Sequence, residues 1–337
     1  MKKISLMKGI RIFGRGIRNY FVIDKPIVVS YEVTHSCTAN CLHCDKGGIK
    51  KEENLLVPSA YKLLTEALHP IAVQISGGEP LLRTDVVDIV REVKRPYRLP
   101  LIIFVTNGSL LNEDNYLLLK EAGVDSFSVS LDFPNEKHDD FRRLPGLYAH
   151  LEETIPRLAA NFGSHDIELN TAITRLNLPY LVALAQKADE WDVSISYSAY
   201  CTLRTGDKDL FIRSEDDLEM LQEKIHELLQ FKKEKGRILN STYNLMKTYE
   251  FFKSGYIPNC QAGKRFLVVE PRGGLTPCSM QTTRQYSTQE EILEDFTKQN
   301  KCGECYVAIR AYSDKSARTL LKDSISFFLS NRSNRRK

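Results

Sequence analysis

The stretch Thr34-His35-Ser36-Cys37-Thr38-Ala39-Asn40-Cys41-Leu42-His43-Cys44 decides how the rest of this chain of 337 residues is interpreted. Its three cysteines have the spacing C-x3-C-x2-C and directly follow an apolar run, residues 27–33, which is typical of a buried strand. A loop of this length can turn three thiolates inward onto one metal cluster, which leaves one iron of a four-iron cluster without a protein ligand. The alternatives are a zinc knuckle completed by His35 or His43, or three unrelated buried cysteines.

A second motif, Ser76-Gly77-Gly78-Glu79-Pro80, follows the second apolar run. Glycines let the backbone approach a ligand closely, although a plain Gly-Gly turn ended by proline is the alternative. Together with the three cysteines, the motif closely resembles the signature of the radical S-adenosylmethionine (SAM) superfamily. The resemblance implies that the cysteines hold a [4Fe-4S] cluster whose free iron chelates SAM, and that the reduced cluster cleaves SAM to a 5′-deoxyadenosyl radical. It also implies that the SAM amino group is bound by Gly77, Gly78, Glu79 and Pro80.

The composition is that of a globular protein, with 42% apolar and 27% charged residues. No apolar run reaches the roughly 18 residues of a membrane span, and residues 1–20 lack the apolar core of a secretory signal. Eight cysteines in a chain of this length favour metal ligation in a reducing cytoplasm over a disulfide framework. We therefore expect a cytoplasmic protein.

Strand and helix patterns alternate from residue 27 onward, which predicts a parallel sheet with right-handed crossovers. The predicted strands are 27–33, 71–75, 101–105, 126–131, 167–173 and 193–197, and the predicted helices are 59–68, 84–93, 113–121, 147–160 and 179–190. Ser59, Thr84, Asn112 and Ser214 are predicted helix N-caps. Six units predict an α/β fold with a partial (βα)6 barrel, the fold that the resemblance also implies. In such barrels the chemistry lies at the carboxyl ends of the strands.

Polar residues follow the third, fourth and fifth predicted strands, where the resemblance implies contacts to SAM or to the substrate. These candidate cofactor-binding residues are Thr106, Asn107, Ser130, Asp132, Arg175 and Asn177. A turn asparagine and an edge arginine are also common without any function.

Two candidate catalytic residues follow the sixth predicted strand. Cys201 is either a small buried apolar residue or a thiol that faces the substrate and donates a hydrogen atom or proton. Arg204 is a candidate anchor for an anionic group of the substrate.

Four further cysteines near the C-terminus form a second predicted metal site, from Cys260, Cys278, Cys302 and Cys305. A predicted hairpin followed by C-x2-C is also typical of a zinc ribbon. The spacing C-x12-Gly-x4-C, with Gly273 at its centre, resembles the SPASM/Twitch extension of radical SAM enzymes. Because only four cysteines are present, the resemblance implies the short Twitch form with one auxiliary [4Fe-4S] cluster, fully ligated and suited to electron transfer.

The predicted organisation has four segments: a basic amphipathic segment (1–26), the barrel (27–213), connecting helices (214–258) and a small Twitch-like α+β domain with a basic C-terminal helix (259–337). Residues 1–18 carry six Lys and Arg and no acidic residue. Each basic end either forms a helix that packs on the protein with its basic face in solvent, or makes a peripheral contact with an anionic membrane.

The resemblance implies a radical SAM enzyme that oxidises or cross-links an unactivated C–H position, with a flavodoxin or ferredoxin as reductant. We expect a small metabolite or a lipid-like substrate, and a ribosomally made peptide is the alternative. A non-catalytic iron–sulfur or zinc protein is the alternative from another class. Nucleic acid is not expected, because the basic residues lack interleaved aromatic side chains.

Overall fold

Six repeats of strand and helix form the body of the fold, in a computed structural model that describes residues 14–16, 18–19, 24–95 and 100–314. The strands are β1 (Val28–Thr34), β2 (Ala72–Gly77), β3 (Leu101–Thr106), β4 (Ser126–Ser130), β5 (Ile167–Ile173) and β6 (Ser194–Ala199). The helices are α1 (Pro58–Leu68), α2 (Val86–Lys94), α3 (Glu113–Ala122), α4 (Lys137–Arg142), α5 (Leu147–Phe162) and α6 (Leu181–Glu190). The predicted six-unit α/β barrel is thus confirmed, with most boundaries within two residues.

The C-terminal part continues the same sheet instead of forming a separate one. After α7 (Glu215–Lys235) and α8 (Thr242–Ser254), the hairpin β7 (Phe266–Val269) and β8 (Leu275–Thr276) follows, then α9 (Gln289–Asp295) and α10 (Ala308–Ser313). The strand order is β6-β5-β4-β3-β2-β1-β7-β8. β7 pairs with β1 in parallel, with Val28 opposite Phe266, while β7 and β8 are antiparallel. The sheet therefore crosses the predicted domain boundary near residue 259, and the four-segment division stays a prediction.

Alternate residues of the strands pack under the helices, and the residues between them face the barrel interior. In β5, Ile167, Leu169, Thr171 and Ile173 are buried and their neighbours are partly exposed. Because β1 to β7 run in parallel, their carboxyl ends lie at one edge of the sheet. This edge carries the motifs that the sequence singles out.

Two of the four predicted helix caps are confirmed and two are wrong. Asn112 accepts from the Asn115 backbone N–H at 3.0 Å in a capping box, and Ser214 caps α7. Helix α1 instead begins at Pro58 after Val57, since proline is favoured in the first turn. Helix α2 follows Asp85, not Thr84.

The two basic ends fall largely outside the described residues, so the predicted amphipathic segment and the predicted C-terminal helix have no structural account. Among the residues that the structure does describe, no helix is both long and apolar enough to span a membrane.

Candidate active site

The C-x3-C-x2-C loop leaves β1 and folds over the carboxyl edge of the sheet. Its backbone is held by hydrogen bonds from Cys37 N to Gly48 O at 3.0 Å and from Asn40 N to Arg142 O at 3.1 Å. Cys37 and Cys41 are buried and Cys44 is partly buried. All three cysteines line one cavity of about 130 Å³. The loop therefore brings three free thiols to one enclosed place, which fits a cluster with three protein ligands.

Each of the three sulfur atoms accepts a hydrogen bond from a different part of the barrel. Asn107 Nδ2 lies 3.6 Å from Cys37 Sγ, Arg142 Nη1 lies 3.7 Å from Cys41 Sγ, and Arg204 Nη1 lies 3.7 Å from Cys44 Sγ. The donors lie directly after β3, at the end of α4 and in the turn after β6. Hydrogen bonds of this kind stabilise negative charge on sulfur.

A buried ion pair holds one of these donors. Asp132 Oδ2 accepts from Arg142 Nε at 2.7 Å, and both residues are buried. Burial by itself would raise the pKa of Asp132, but the charge of Arg142, together with His43, His138 and the Ala172 backbone N–H, outweighs burial and the pKa is lowered. Burial also raises the pKa of the Cys41 thiol to about 11, with Arg142 acting in the opposite direction. Asp132 thus fixes Arg142 against the cysteine loop.

The Gly77-Gly78 turn packs its backbone directly against the cysteine loop. A Cβ atom on Gly78 would lie 2.1 Å from Ser36 O, which no side chain tolerates. The Gly78 N–H donates to Thr34 O at 2.7 Å, and both glycines line the cavity. The motif therefore needs glycine for close backbone approach.

Glu79 lies behind the cavity instead of lining it. Its side chain is fully buried and accepts from Thr106 Oγ1 at 2.8 Å and from the Asn107 N–H at 2.8 Å. Burial raises the pKa of Glu79 to about 7, although these hydrogen bonds oppose the rise. Glu79 positions Thr106 and Asn107, both of which line the cavity, and Pro80 opens the short 3-10 helix that follows.

The other candidate cofactor residues fall in two groups. Ser130 lines the cavity at the end of β4. Arg175 and Asn177 are not among the lining residues: Arg175 Nε donates to Asp209 O at 2.8 Å, and the buried Asn177 amide donates to Ala172 O at 2.9 Å.

A network of charged side chains beside the cysteine loop has no counterpart in the sequence predictions. His35 Nε2 lies 2.9 Å from Glu270 Oε2 and 3.2 Å from Glu32 Oε2, and Lys46 Nζ lies 3.3 Å from Glu32 Oε2. Arg204 joins the network 3.7 Å from Glu32 Oε1. Burial lowers the pKa of His35, but the two carboxylates outweigh it and raise the pKa to about 9. The sequence feature from which this network could have been predicted is Glu32, because a charged side chain inside a buried strand requires ion-pair or hydrogen-bond partners.

The four C-terminal cysteines come together between the β7–β8 hairpin and α10. Cys260, Cys278 and Cys305 are buried, Cys302 is partly buried, and all four are free. Burial raises the pKa of the Cys260, Cys278 and Cys305 thiols to about 12. Thiolates form in such a setting when a metal compensates their charge, so the site fits a cluster or a zinc ion bound by four sulfurs.

The side chain of Cys201 lies near the four C-terminal cysteines, whereas the side chain of Arg204 lies near the C-x3-C-x2-C loop. The Sγ atom of Cys201 is 3.8 Å from Met280 Sδ, two residues after Cys278. The two candidate catalytic residues therefore face different cysteine sets.

The first five strands of the barrel match a known protein family. Residues 31–174 match the family model described as the Radical SAM superfamily. The AdoMet-dependent heme synthase of Methanosarcina barkeri is 31% identical over 54% of this chain and 52% of its own length. The GTP 3′,8-cyclase of Limosilactobacillus fermentum is 34% identical over 44% of this chain and 46% of its own. The match thus spans about half the length of these curated relatives.

One relative matches over more of the chain. The mycofactocin maturase MftC of Mycolicibacterium smegmatis is 24% identical over 76% of this chain and 65% of its own length.

Solved structures share the fold at low sequence identity. Streptococcus suis SuiB bound to S-adenosylmethionine superposes with a TM-score of 0.64 at 14% identity, covering 86% of this chain and 71% of SuiB. Native anSMEcpe with bound AdoMet superposes with a TM-score of 0.61 at 17% identity, covering 82% of both chains. These likenesses extend beyond the barrel into the C-terminal part.

Proposed function

We propose that this chain, a member of the radical SAM superfamily through residues 31–174, reductively cleaves SAM and uses the resulting radical to take a hydrogen atom from a substrate. The observation that carries this proposal is the set of three cysteine sulfurs, each with its own N–H donor, around a cavity that Gly77 and Gly78 also line. A [4Fe-4S] cluster bound there would supply the electron for SAM cleavage and an open iron for the SAM amino and carboxylate groups.

The residues of this chain would bind SAM and exclude water around it. The Gly77-Gly78 backbone packs against the cysteine loop and forms part of the cavity wall, and Thr106, Asn107 and Ser130 supply polar groups at the same cavity. Glu79 would hold Thr106 and Asn107 in place. Asp132 would likewise hold Arg142 in place beside Cys41.

We infer that the C-terminal thiols hold an auxiliary [4Fe-4S] cluster, with zinc as the alternative occupant. Four thiolates leave no iron open for a substrate, which favours electron transfer. In an oxidative reaction the SAM-derived radical removes one hydrogen atom, and a second electron and a proton must leave the substrate. The auxiliary site would accept that electron, and an external flavodoxin or ferredoxin would supply the electron for SAM cleavage.

The charged network favours a polar substrate over a lipid-like one. The network lies beside Cys44 and consists of residues near the carboxyl ends of β1 and β7, in the cysteine loop and in the turn after β6: Glu32, His35, Glu270, Lys46 and Arg204. Glu32, Lys46 and Glu270 are buried and paired within the network, whereas His35 and Arg204 keep exposed side-chain surface that would form hydrogen bonds and ion pairs with a polar ligand. Covering these two groups with an alkyl chain would cost free energy. A small polar metabolite therefore fits the mouth of the barrel best.

A peptide is the second candidate substrate. The observation in its favour is the match to the M. smegmatis mycofactocin maturase, which covers 76% of this chain and thus reaches beyond the barrel. Membrane contact through the two basic ends stays a prediction.

The direct test is formation of 5′-deoxyadenosine from SAM with dithionite as reductant, under anaerobic conditions, after reconstitution with iron and sulfide. We expect product from the wild type and none from Cys41→Ala. Leu63→Ala, an exposed position on α1, is the matched control. Equal product from Cys41→Ala would contradict the proposal. To distinguish metabolite from peptide substrates, a deuterated cell extract is divided by ultrafiltration into small and large molecules. The fraction from which deuterium passes into 5′-deoxyadenosine contains the substrate.

A further inference from the structure

Cys201 is a fifth thiol beside the four C-terminal cysteines, although it belongs to the barrel. It follows β6 and is only 3% exposed. Its Sγ atom lies 3.8 Å from the Sδ atom of Met280. Met280 also packs on the apolar cluster that contains Cys260 and Cys278. The methionine thus connects Cys201 to the thiols of the β7–β8 hairpin.

The C-x2-C pair, Cys302 and Cys305, is also near Cys201. Cys201 and Cys305 are both buried, and α10, which begins three residues after Cys305, packs on β6, the strand that Cys201 follows. Burial raises the pKa of the Cys201 thiol, and the charge of Cys302 raises it further. After burial, Cys201 is the largest influence that raises the pKa of Cys305. Cys201 is therefore a direct electrostatic neighbour of both members of the pair.

A [4Fe-4S] cluster binds four thiolates, so five neighbouring thiols exceed its ligand number by one. The five differ in exposure: Cys201, Cys260, Cys278 and Cys305 are buried, whereas Cys302 is partly exposed. An exposed ligand exchanges with solvent and oxidants more easily than a buried one. Cys302 is thus the ligand that the site loses most readily, and Cys201 lies within reach of its charge.

We propose that Cys201 is a reserve ligand of the C-terminal iron–sulfur cluster, which takes over the iron when Cys302 leaves it. This proposal rests on the auxiliary cluster of the proposed function. The exchange forms one Fe–S bond and breaks another. The proton of the Cys201 thiol passes to the departing Cys302 thiolate, and no electron is transferred. Cys201 then acts as a ligand and not as a hydrogen donor to the substrate.

The test counts iron and sulfide in full-length protein whose first cluster is absent, Cys37→Ala/Cys41→Ala/Cys44→Ala. In this parent, Cys302→Ala and Cys201→Ala are introduced singly and together. We expect about four irons per chain in the parent and in both single variants. The double variant keeps only three thiolates, so its fourth iron is labile: brief ferricyanide treatment should remove it and give the EPR signal of a three-iron cluster, which the single variants should not show. Met280→Leu, which removes the neighbouring sulfur but keeps the volume, should retain four.

Two results would overturn the proposal, and they are distinguishable. If Cys302→Ala alone loses as much iron as the double variant, then Cys201 does not ligate, while the auxiliary cluster itself stands. If the parent binds zinc instead of iron, the auxiliary cluster fails and this inference fails with it. Cys201→Val, which fills the buried position, replaces Cys201→Ala if circular dichroism shows that the latter does not fold.

Discussion

Cys201 and Arg204 lie three residues apart in one turn after β6, yet their side chains reach different cysteine sets. Cys201 Sγ is 3.8 Å from Met280 Sδ beside the C-terminal cysteines, and Arg204 Nη1 is 3.7 Å from Cys44 Sγ in the first loop. A backbone hydrogen bond from Gly206 N to Thr202 O at 2.7 Å closes the turn. One short segment thus lies between the two sites and fixes their relative positions.

Replacing Arg204 by methionine should lower the reduction potential of the first cluster. The guanidinium donates to Cys44 and adds positive charge beside it, which stabilises the more negative reduced state. If the reduced cluster loses about 1.4 kcal/mol of stabilisation, the one-electron reduction potential falls by about 60 mV. An EPR-monitored redox titration measures the shift. Arg157→Met, whose side chain pairs with the exposed Glu153, is the control. An unchanged potential in Arg204→Met would refute this role.

Replacing Arg142 by methionine should destabilise the fold by about 3–5 kcal/mol, because Asp132 would be left as an unpaired buried carboxylate. The double variant Asp132→Asn/Arg142→Met should recover part of that loss. Urea unfolding of the cluster-free protein measures both free energies. A single variant within about 1 kcal/mol of wild type would show that the pair carries little energy.

Gly78→Ala should reduce iron binding at the first site, because the new methyl group would meet Ser36 O at 2.1 Å and Cys37 Cβ at 3.1 Å. The loop must then shift, and the three thiols no longer converge. Gly14→Ala is the control, since no atom lies within 4 Å of its added Cβ. Iron content after reconstitution is the readout, and a full complement in Gly78→Ala would contradict the close approach.

The contribution of Glu79 to stability should fall as the pH rises. Burial raises its pKa to about 7 in the folded state, against an ordinary value of 4.5 for glutamate, so the folded protein binds more protons between these values. Glu79→Gln does not titrate. The unfolding free energy of wild type, relative to that of this variant, should therefore drop by up to about 3 kcal/mol from pH 4.5 to 8. Urea unfolding at both pH values tests this, and a constant difference would show that folding does not raise the pKa of Glu79.

Local patterns predicted the strands and the cysteine loop, because apolar runs and C-x3-C-x2-C are encoded within a few residues. The donors to the sulfurs were not predictable in this way. Arg142 is 101 residues from Cys41, and Arg204 is 160 residues from Cys44. Glu270 approaches His35 only because β7 pairs with β1, a pairing that no local pattern encodes.

The central claim is that the chain binds two iron–sulfur clusters, one for SAM cleavage and one auxiliary. The most direct measurement is iron, sulfide and zinc per chain after anaerobic reconstitution, in wild type and in Cys37→Ala/Cys41→Ala/Cys44→Ala. We predict about eight irons in wild type and about four in the variant, with no zinc in either protein. About four irons in wild type, with one zinc retained in the variant, would contradict the account and make the C-terminal site structural.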